Sequence, residues 1–319
     1  MEYIRVTKEN LEKEHICCAI SNNKDIQVSS KKAWLADRFD EGLVFLKSVE
    51  RGKCFIEYIP AECAWNPIEA PGYMYINCLW VSGSFKGHGC SSELLSACIE
   101  DSKEKGKEGL CILAAARKKP FLADPKFLKY KGFEACDEAD NGIQLWYLPF
   151  EEKTEPPVFK ECAKHPHINE RGYVLYYTNQ CPFNAKYVPI LEETAQKNGI
   201  PFKAVKIESR KDAQNVPTPI TTYALFCDGE YVTNEQMNDK KFLKLVGREE
   251  KTTWHRTRRL NRSPTWRTIS PNGIPTSAAR RSWSSTPASR ASRSCVPTAT
   301  RSGRISSASW TVSSRRPAT

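Results

Sequence analysis

What the sequence lacks is informative first at its far end. Residues 251–319 hold one Lys and thirteen Arg but neither Asp nor Glu. The formal charge of +11 therefore does not describe the whole chain. Removing those 14 basic residues from the 48 leaves 34 against 37 acidic ones, a net of −3 before residue 251. A mildly acidic body is not steered toward polyanions. Long apolar runs are missing too. No stretch approaches the roughly 20 residues that cross a bilayer, so no membrane partner is expected. The opening MEYIRVTKEN is charged from its second residue and does not read as a secretory signal. Thirteen cysteines are present, but Cys-x-x-Cys spacing is not. An odd, scattered set containing the adjacent pair Cys17-Cys18 points to buried thiols in a reducing, cytoplasmic compartment rather than to a disulfide framework. Metal-ligand spacing is also absent. His165 and His167 lie near Cys162 only within the Pro-containing KECAKHPHINERG, and no metal site is expected.

Ser, Thr, Pro and Arg dominate the end of the chain, as in ARRSWSSTPASRASRS, with no sustained period of 2 or 3.6. Such composition cannot bury enough apolar area to offset about 1–2 kcal/mol of chain entropy per residue. Residues 248–319 are expected to be a disordered or aberrant Arg/Ser-rich tail. One reading is a basic arm for nucleic acid, a partner not expected elsewhere. The other is an out-of-frame or chimeric extension, which the switch from Lys to Arg near residue 250 favours. Oligomeric state is left open.

The remaining length suggests two domains. YIRVT reads as a strand, KENLEKEHICCAI as a loosely amphipathic helix and SKKAWLADRFDEG as a second helix closed by Gly42. LVFLKSVERGKCFIEYI reads as two strands joined by a turn, and YMYINCLWV as another. A helix, the strand LCILAAA, a short helical piece and the strand GIQLWYLPF complete a mixed α/β domain over 1–150.

Between YMYINCLWV and its following helix stands SFKGHGCSSELL. Gly83, Gly87 and Gly89 permit a turn with N–H groups pointing inward. The first N–H groups of a helix lack internal partners and carry about half a positive charge between them. Such a turn favours a phosphate, and Lys86 and His88 add charge. An ordinary βα turn is the alternative. Glu57 in FIEYI is a carboxylate inside a strand, costly unless exposed or paired, so it is expected to face solvent or a cleft. Glu62 and Trp65 are candidates to line an acceptor pocket.

CLWVSGSFKGHGCSSELL resembles the acetyl-CoA loop of the GNAT acetyltransferase superfamily, with Gly87 and Gly89 at its small positions and Ser84 where the family has Gln or Arg. KFLKYKGFE resembles the family's Gly-Phe signature at Gly132-Phe133. The resemblance implies acetyl transfer from acetyl-CoA to a primary amine of a small molecule or peptide. It assigns cofactor contacts to Leu79, Trp80, Val81, Ser84, Phe85, Lys86, Gly87, His88, Gly89, Cys90 and Ser91. Leu128 stands where many members have the tyrosine that protonates the thiolate, which leaves Tyr130 as candidate acid and Glu57 as candidate base.

After a charged linker, 151–171, a new pattern fills 172–247: strand, helix, strand, two hairpin strands, helix. That order is similar to the thioredoxin fold. Cys181-Pro182-Phe183-Asn184 resembles the Cys-Pro-x-Cys of glutaredoxins with Asn for the second cysteine. A helix start would lower the Cys181 pKa and populate the thiolate. A monothiol redox or thiol-binding protein using Cys181 is the alternative to acetyl transfer. The two domains together resemble the YoaP-like acetyltransferases.

Overall fold

The computed structural model describes residues 1–19 and 22–247. The tail expected over 248–319 lies outside the described residues. The chain begins with β1 (Tyr3–Val6), α1 (Ile26–Phe39), β2 (Val44–Ser48), β3 (Cys54–Pro60), the short β4 (Ile68–Glu69) and β5 (Tyr73–Val81). It continues with α2 (Cys90–Glu104), β6 (Gly109–Ala114), α3 (Pro125–Tyr130), β7 (Glu134–Glu138) and β8 (Gln144–Pro149). Seven of these strands form one sheet in the order β1-β2-β3-β5-β6-β8-β7.

Local chemistry explains most boundaries. Asp25 caps α1 by accepting from the Gln27 N–H, and Gly42 leaves the helix at φ +89°. The helix expected over KENLEKEHICCAI does not form, and its first half is a series of turns. Asn10 provides the reason: its side chain accepts from the Thr7 N–H and donates to the Arg5 carbonyl, competing with helical bonds. Strand β7, in the acidic stretch EACDE, is the edge of the sheet. Its charges suit an edge and hide it from a search for apolar alternation.

Each face of this sheet carries its own core. On one face, Leu94, Leu95 and Cys98 of α2 and Leu128 of α3 pack on Ile56, Tyr58, Met74 and Ile76. On the other, Val28, Trp34 and Leu35 of α1 pack with Phe45, Phe55 and Ile59. Strand β5 changes its pattern midway. Glu57 pairs with Cys78 but Tyr58 with Ile76, so Asn77 is an extra residue, a bulge. The parallel ladder between β5 and β6 covers Tyr73–Tyr75 against Gly109–Cys111. Beyond it the two strands part.

The expected linker carries secondary structure and runs beside the edge of the first sheet, where the Phe159 N–H donates to Asp137 at 2.8 Å. Its strand β9 (Val158–Phe159) pairs with β4, and α4 (Glu161–Lys164) follows. The second sheet comprises β10 (Tyr173–Tyr177), β11 (Phe202–Lys206), β12 (Tyr223–Cys227) and β13 (Glu230–Thr233) in the order β11-β10-β12-β13. Helix α5 (Phe183–Lys197) joins β10 to its parallel neighbour β11, and α6 (Arg210–Ala213) follows β11. α5 runs through Pro189 as one element. The β12–β13 hairpin turns at Asp228 and Gly229, both at positive φ. Residues 239–247 are helical and supply Phe242 and Val246 to the second core.

The two sheets do not fold as separate beads. Ile207, Ala213, Val216 and Ile220 of the second module belong to the core that holds Trp34 and Trp65 of the first. Asn66 donates to the Pro219 carbonyl at 2.9 Å, Gln214 to the Ala64 carbonyl at 2.9 Å and Asn234 to the Pro120 carbonyl at 3.0 Å. At the centre, Lys31 of α1 meets Glu57 of β3 at 2.5 Å and donates to the Gln180 carbonyl at 2.7 Å. Lys31 and Glu57 are each 1% exposed.

Glu57, expected to face solvent or a cleft, therefore does not face solvent. It is paired, which is the other way a strand carboxylate avoids its burial cost. Burial pulls the Lys31 ammonium down, but the Glu57 charge and hydrogen bond, with the Cys18 and Cys78 sulfurs, push it up by more. The lysine stays charged. Glu57→Gln strands that charge, and urea unfolding should show a loss of about 3–5 kcal/mol. The double variant Lys31→Met/Glu57→Leu removes both charges and should lose much less. Equal losses in the two would show that the pair carries no coupling.

Candidate functional site

The stretch from Ser82 to Ser91 links the end of β5 to the start of α2. Gly83–Phe85 makes one 3-10 turn. Gly83, Gly87 and Gly89 adopt φ of +67°, +83° and +77°. These are left-handed values that only glycine takes without strain. A Cβ on Gly83 or Gly87 would meet nothing within 4 Å, so the space above the turn is open. Gly89 is the N-cap of α2 and offers no side-chain acceptor to the helix. Among the described residues, no acceptor meets the N–H groups of Gly87, His88, Gly89, Cys90 or Ser91. Gly87, Gly89, Cys90 and Ser91 border a cavity of about 130 Å³ with Val81, Phe85, Lys86 and Ser92.

The expected cofactor residues divide by role. Lys86 and His88 are exposed beside the turn. Ser84 is exposed as well, and it offers a short hydroxyl. Phe85 and Cys90 bury their side chains in the core under α2, so only their backbone faces the turn. Phe85 anchors the loop: a Cβ on Gly52 would lie 2.2 Å from its ring. One carboxylate intrudes. Glu93, in the first turn of α2, lies near Gly89, but the Tyr3 hydroxyl holds its other oxygen at 2.7 Å.

Beyond the turn, Leu79 and Val81 pack toward the α2 face, while Cys78 and Trp80 pack toward α1. These residues sit on the part of β5 that has left β6. The split thus connects the loop and α2 on one face with the Lys31–Glu57 pair on the other. The bulged Asn77 turns to that second face and donates to Glu57 at 3.0 Å.

Other candidates are placed elsewhere. Tyr130 is 80% exposed at the end of α3, with its ring against Lys131. Leu128, two residues earlier, points into the core. Trp65 packs edge-on to Trp34 at 4.6 Å, with the Arg38 guanidinium over both rings. Glu62 pairs with Lys107 at 3.0 Å. Neither is left to line an acceptor pocket. A larger cavity of about 490 Å³ between α3, β7 and β8 contains none of the expected site residues.

Cys181 is half-buried at the junction. Burial raises its thiol by more than the Phe183 N–H, the Gln236 amide and the Lys31 charge lower it. The net direction is upward, opposite to the expected helix-start effect, because the loop is packed into the first module. Asn184 is also committed. Its amide donates to the carbonyls of Thr178 at 2.9 Å and Thr222 at 2.5 Å and accepts from Gln236 at 2.7 Å. Sequence reasoning missed Lys31, Asn77 and Gln180. A lysine inside the apolar stripe of α1 was the one available signal.

No helix among the described residues is long and apolar enough to cross a membrane. Among solved structures, the chain is similar to a ribosomal-protein-alanine N-acetyltransferase from Brucella melitensis, at 17% identity and TM-score 0.35, covering 47% of this chain and 100% of that one. It is also similar to the PaiA N-acetyltransferase of Thermoplasma acidophilum, at 14% identity and TM-score 0.33, covering 47% and 100%. Residues 201–244 match the YoaP-like family model. The N-acetyltransferase YoaP of Bacillus subtilis (strain 168), itself described as uncharacterized, is 45% identical over 247 residues, 77% of this chain and 98% of that protein. This chain belongs to the YoaP family of N-acetyltransferases.

Proposed function

We propose that the chain transfers an acetyl group from acetyl-CoA to a primary amine of a small molecule or peptide. The observation that carries this reading is the open glycine turn, with its row of unpartnered N–H groups, at the mouth of the split between β5 and β6. The turn and the start of α2 take the pyrophosphate, with Lys86 and His88 adding charge. Leu79, Trp80 and Val81 line the acyl arm along the unpaired part of β5. On this reading, residues 1–150 carry the transferase site.

The amine nitrogen attacks the thioester carbonyl, a C–N bond forms and the C–S bond breaks. The proton leaving nitrogen goes to Glu57, whose carboxylate retains lone pairs beyond those used by Lys31 and Asn77. The sulfur departs as thiolate. A thiol with a pKa of about 8.5 needs little help from an acid near neutral pH. Tyr130 plays no part.

The second sheet's βαβ, hairpin and helix order supports a thioredoxin-type fold over 172–247, used here as part of the site rather than for redox chemistry. The raised Cys181 thiol and the occupied Asn184 argue against a thiolate nucleophile.

Calorimetric titration should show acetyl-CoA binding, and none at millimolar cofactor would overturn the reading. Gly87→Val forces a β-branched residue to φ +83° in the turn. It should weaken that binding by at least the helix-dipole contribution, about 0.3–1 kcal/mol.

Tyr130→Phe should keep turnover close to that of the parent protein. The loss should fall well short of the 10²–10⁴-fold caused by removing a positioned acid, and steady-state kinetics with the best amine found decides it.

Site-resolved alkylation followed by mass spectrometry should find Cys181 still gaining reactivity above pH 9. The sign follows from its raised pKa: the thiolate fills later than in a free cysteine. Half-maximal reaction below about pH 8.5 would restore the redox reading.

A further inference from the structure

Acetyl-CoA, on the reading above, occupies the α2 face of the split. The nucleophile must then reach the carbonyl from the opposite face, where α1 and the second module lie. On that face two buried oxygens have no hydrogen-bond partner among the described residues, Asn77 Oδ1 and Gln180 Oε1. Both belong to residues that already hold the Lys31–Glu57 pair: Asn77 through its amide NH₂ on Glu57, Gln180 through its backbone carbonyl on Lys31. Gln180 is 7% exposed, so bulk solvent barely reaches it. Thr178 and Thr221, on the same side of the second module, also keep unpartnered buried hydroxyls. A buried polar atom calls for a partner, and a bound ligand is one source of it.

The walls beside these oxygens are aromatic. Trp80 of β5 and Phe183 of α5 approach edge-on at 6.5 Å, and Tyr187 continues the strip 6.4 Å from Phe183. All three are half-buried. One ring comes from the transferase module and two from the second module.

We propose that the second module completes the acceptor subsite. Asn77 Oδ1 and Gln180 Oε1 receive the N–H groups of a primary amine, and Trp80 and Phe183 hold its apolar or aromatic body. This rests on the acetyl-transfer reading and adds a substrate class to it. The two oxygens take two N–H groups of the incoming ammonium, and loss of its third proton to Glu57 leaves a lone pair directed away from them. The bulge that adds Asn77 to β5 is what puts the first oxygen on this face, and the docking of the second module brings the other. Gln180 and Phe183 are thus positioning and specificity residues.

The test uses 2-phenylethylamine and ethanolamine as probes, titrated calorimetrically into the full chain. The aromatic amine should bind the parent protein at least tenfold more tightly than ethanolamine. Gln180→Met keeps the length of the side chain but removes the oxygen. It should weaken 2-phenylethylamine at least tenfold while its melting temperature holds or rises, because an unsatisfied buried oxygen has been removed. A purely structural Gln180 would lower the melting temperature instead. Phe183→Ala should erase the preference between the two amines. No binding of 2-phenylethylamine by the parent protein, or equal binding by parent and Gln180→Met, overturns the proposal. Acetyl-CoA titrated separately into the same samples reports on the donor site, so failure there is read independently of failure here.

Discussion

Two opposite charges, Lys31 and Glu57, meet 2.5 Å apart with almost no access to water. Removing each charge from water costs several kcal/mol, which attraction returns only when geometry and remaining hydrogen bonds are well satisfied. Four separate segments supply that geometry: α1 gives the ammonium, β3 the carboxylate, the bulge of β5 the Asn77 amide, and the loop before α5 the Gln180 carbonyl. Displacing any one of them leaves a charge or a dipole buried without its partner. The docking of the second module is therefore tied to the same few atoms that fix the face of β5.

That coupling explains why the first sheet and the second sheet share a core rather than a tether. Ile207, Ala213, Val216 and Ile220 close over Trp34 and Trp65, and the ordered segment with β9 and α4 lies against the first sheet on the way. Apolar burial is non-directional and sets only that the modules adhere. The buried polar contacts set where. A one-residue slip in β3 would move Glu57 to the α2 face and leave Lys31 alone, so the pair also selects the register.

Much of this was legible where local rules act alone. Glycines at φ near +80° mark the loop because no other residue sits there without strain, and the strands around it, YMYINCLWV and GLCILA, are short apolar runs. Gly42 closes α1 as capping rules require, whereas its start at Ile26, capped by Asp25, lies four residues before the expected SKKAWLADRFDEG. The helix expected near residue 11 failed because Asn10 bonds the backbone of Arg5 and Thr7, a competition that periodicity does not reveal. β7 escaped notice because an edge strand need not alternate. Glu57 was singled out correctly as an anomaly, but its partner lay 26 residues away on another element. The helical spacing of Val28, Lys31 and Leu35 marks the lysine as buried, but long-range polar pairing has no sequence period, so its partner could not be read from spacing. The same limit hid Asn77 and Gln180, whose relevance depends on a bulge and on docking.

The Cys-Pro-Phe-Asn turn follows from the same constraint. In a dithiol motif the fourth residue must be a second sulfur able to approach the first. Here it is Asn184, which makes three hydrogen bonds that a cysteine could not reproduce. Those bonds tie the start of α5 to the end of β10, to Thr222 and to Gln236. They hold the intervening residues, Gln180 among them, in a fixed turn. That turn points the Gln180 carbonyl at Lys31 and sets Phe183 against Trp80. Packing against the first module then raises the Cys181 thiol rather than activating it. The loop is a rigid support for the face of the other module's sheet, and the three hydrogen bonds of Asn184 are what fix it.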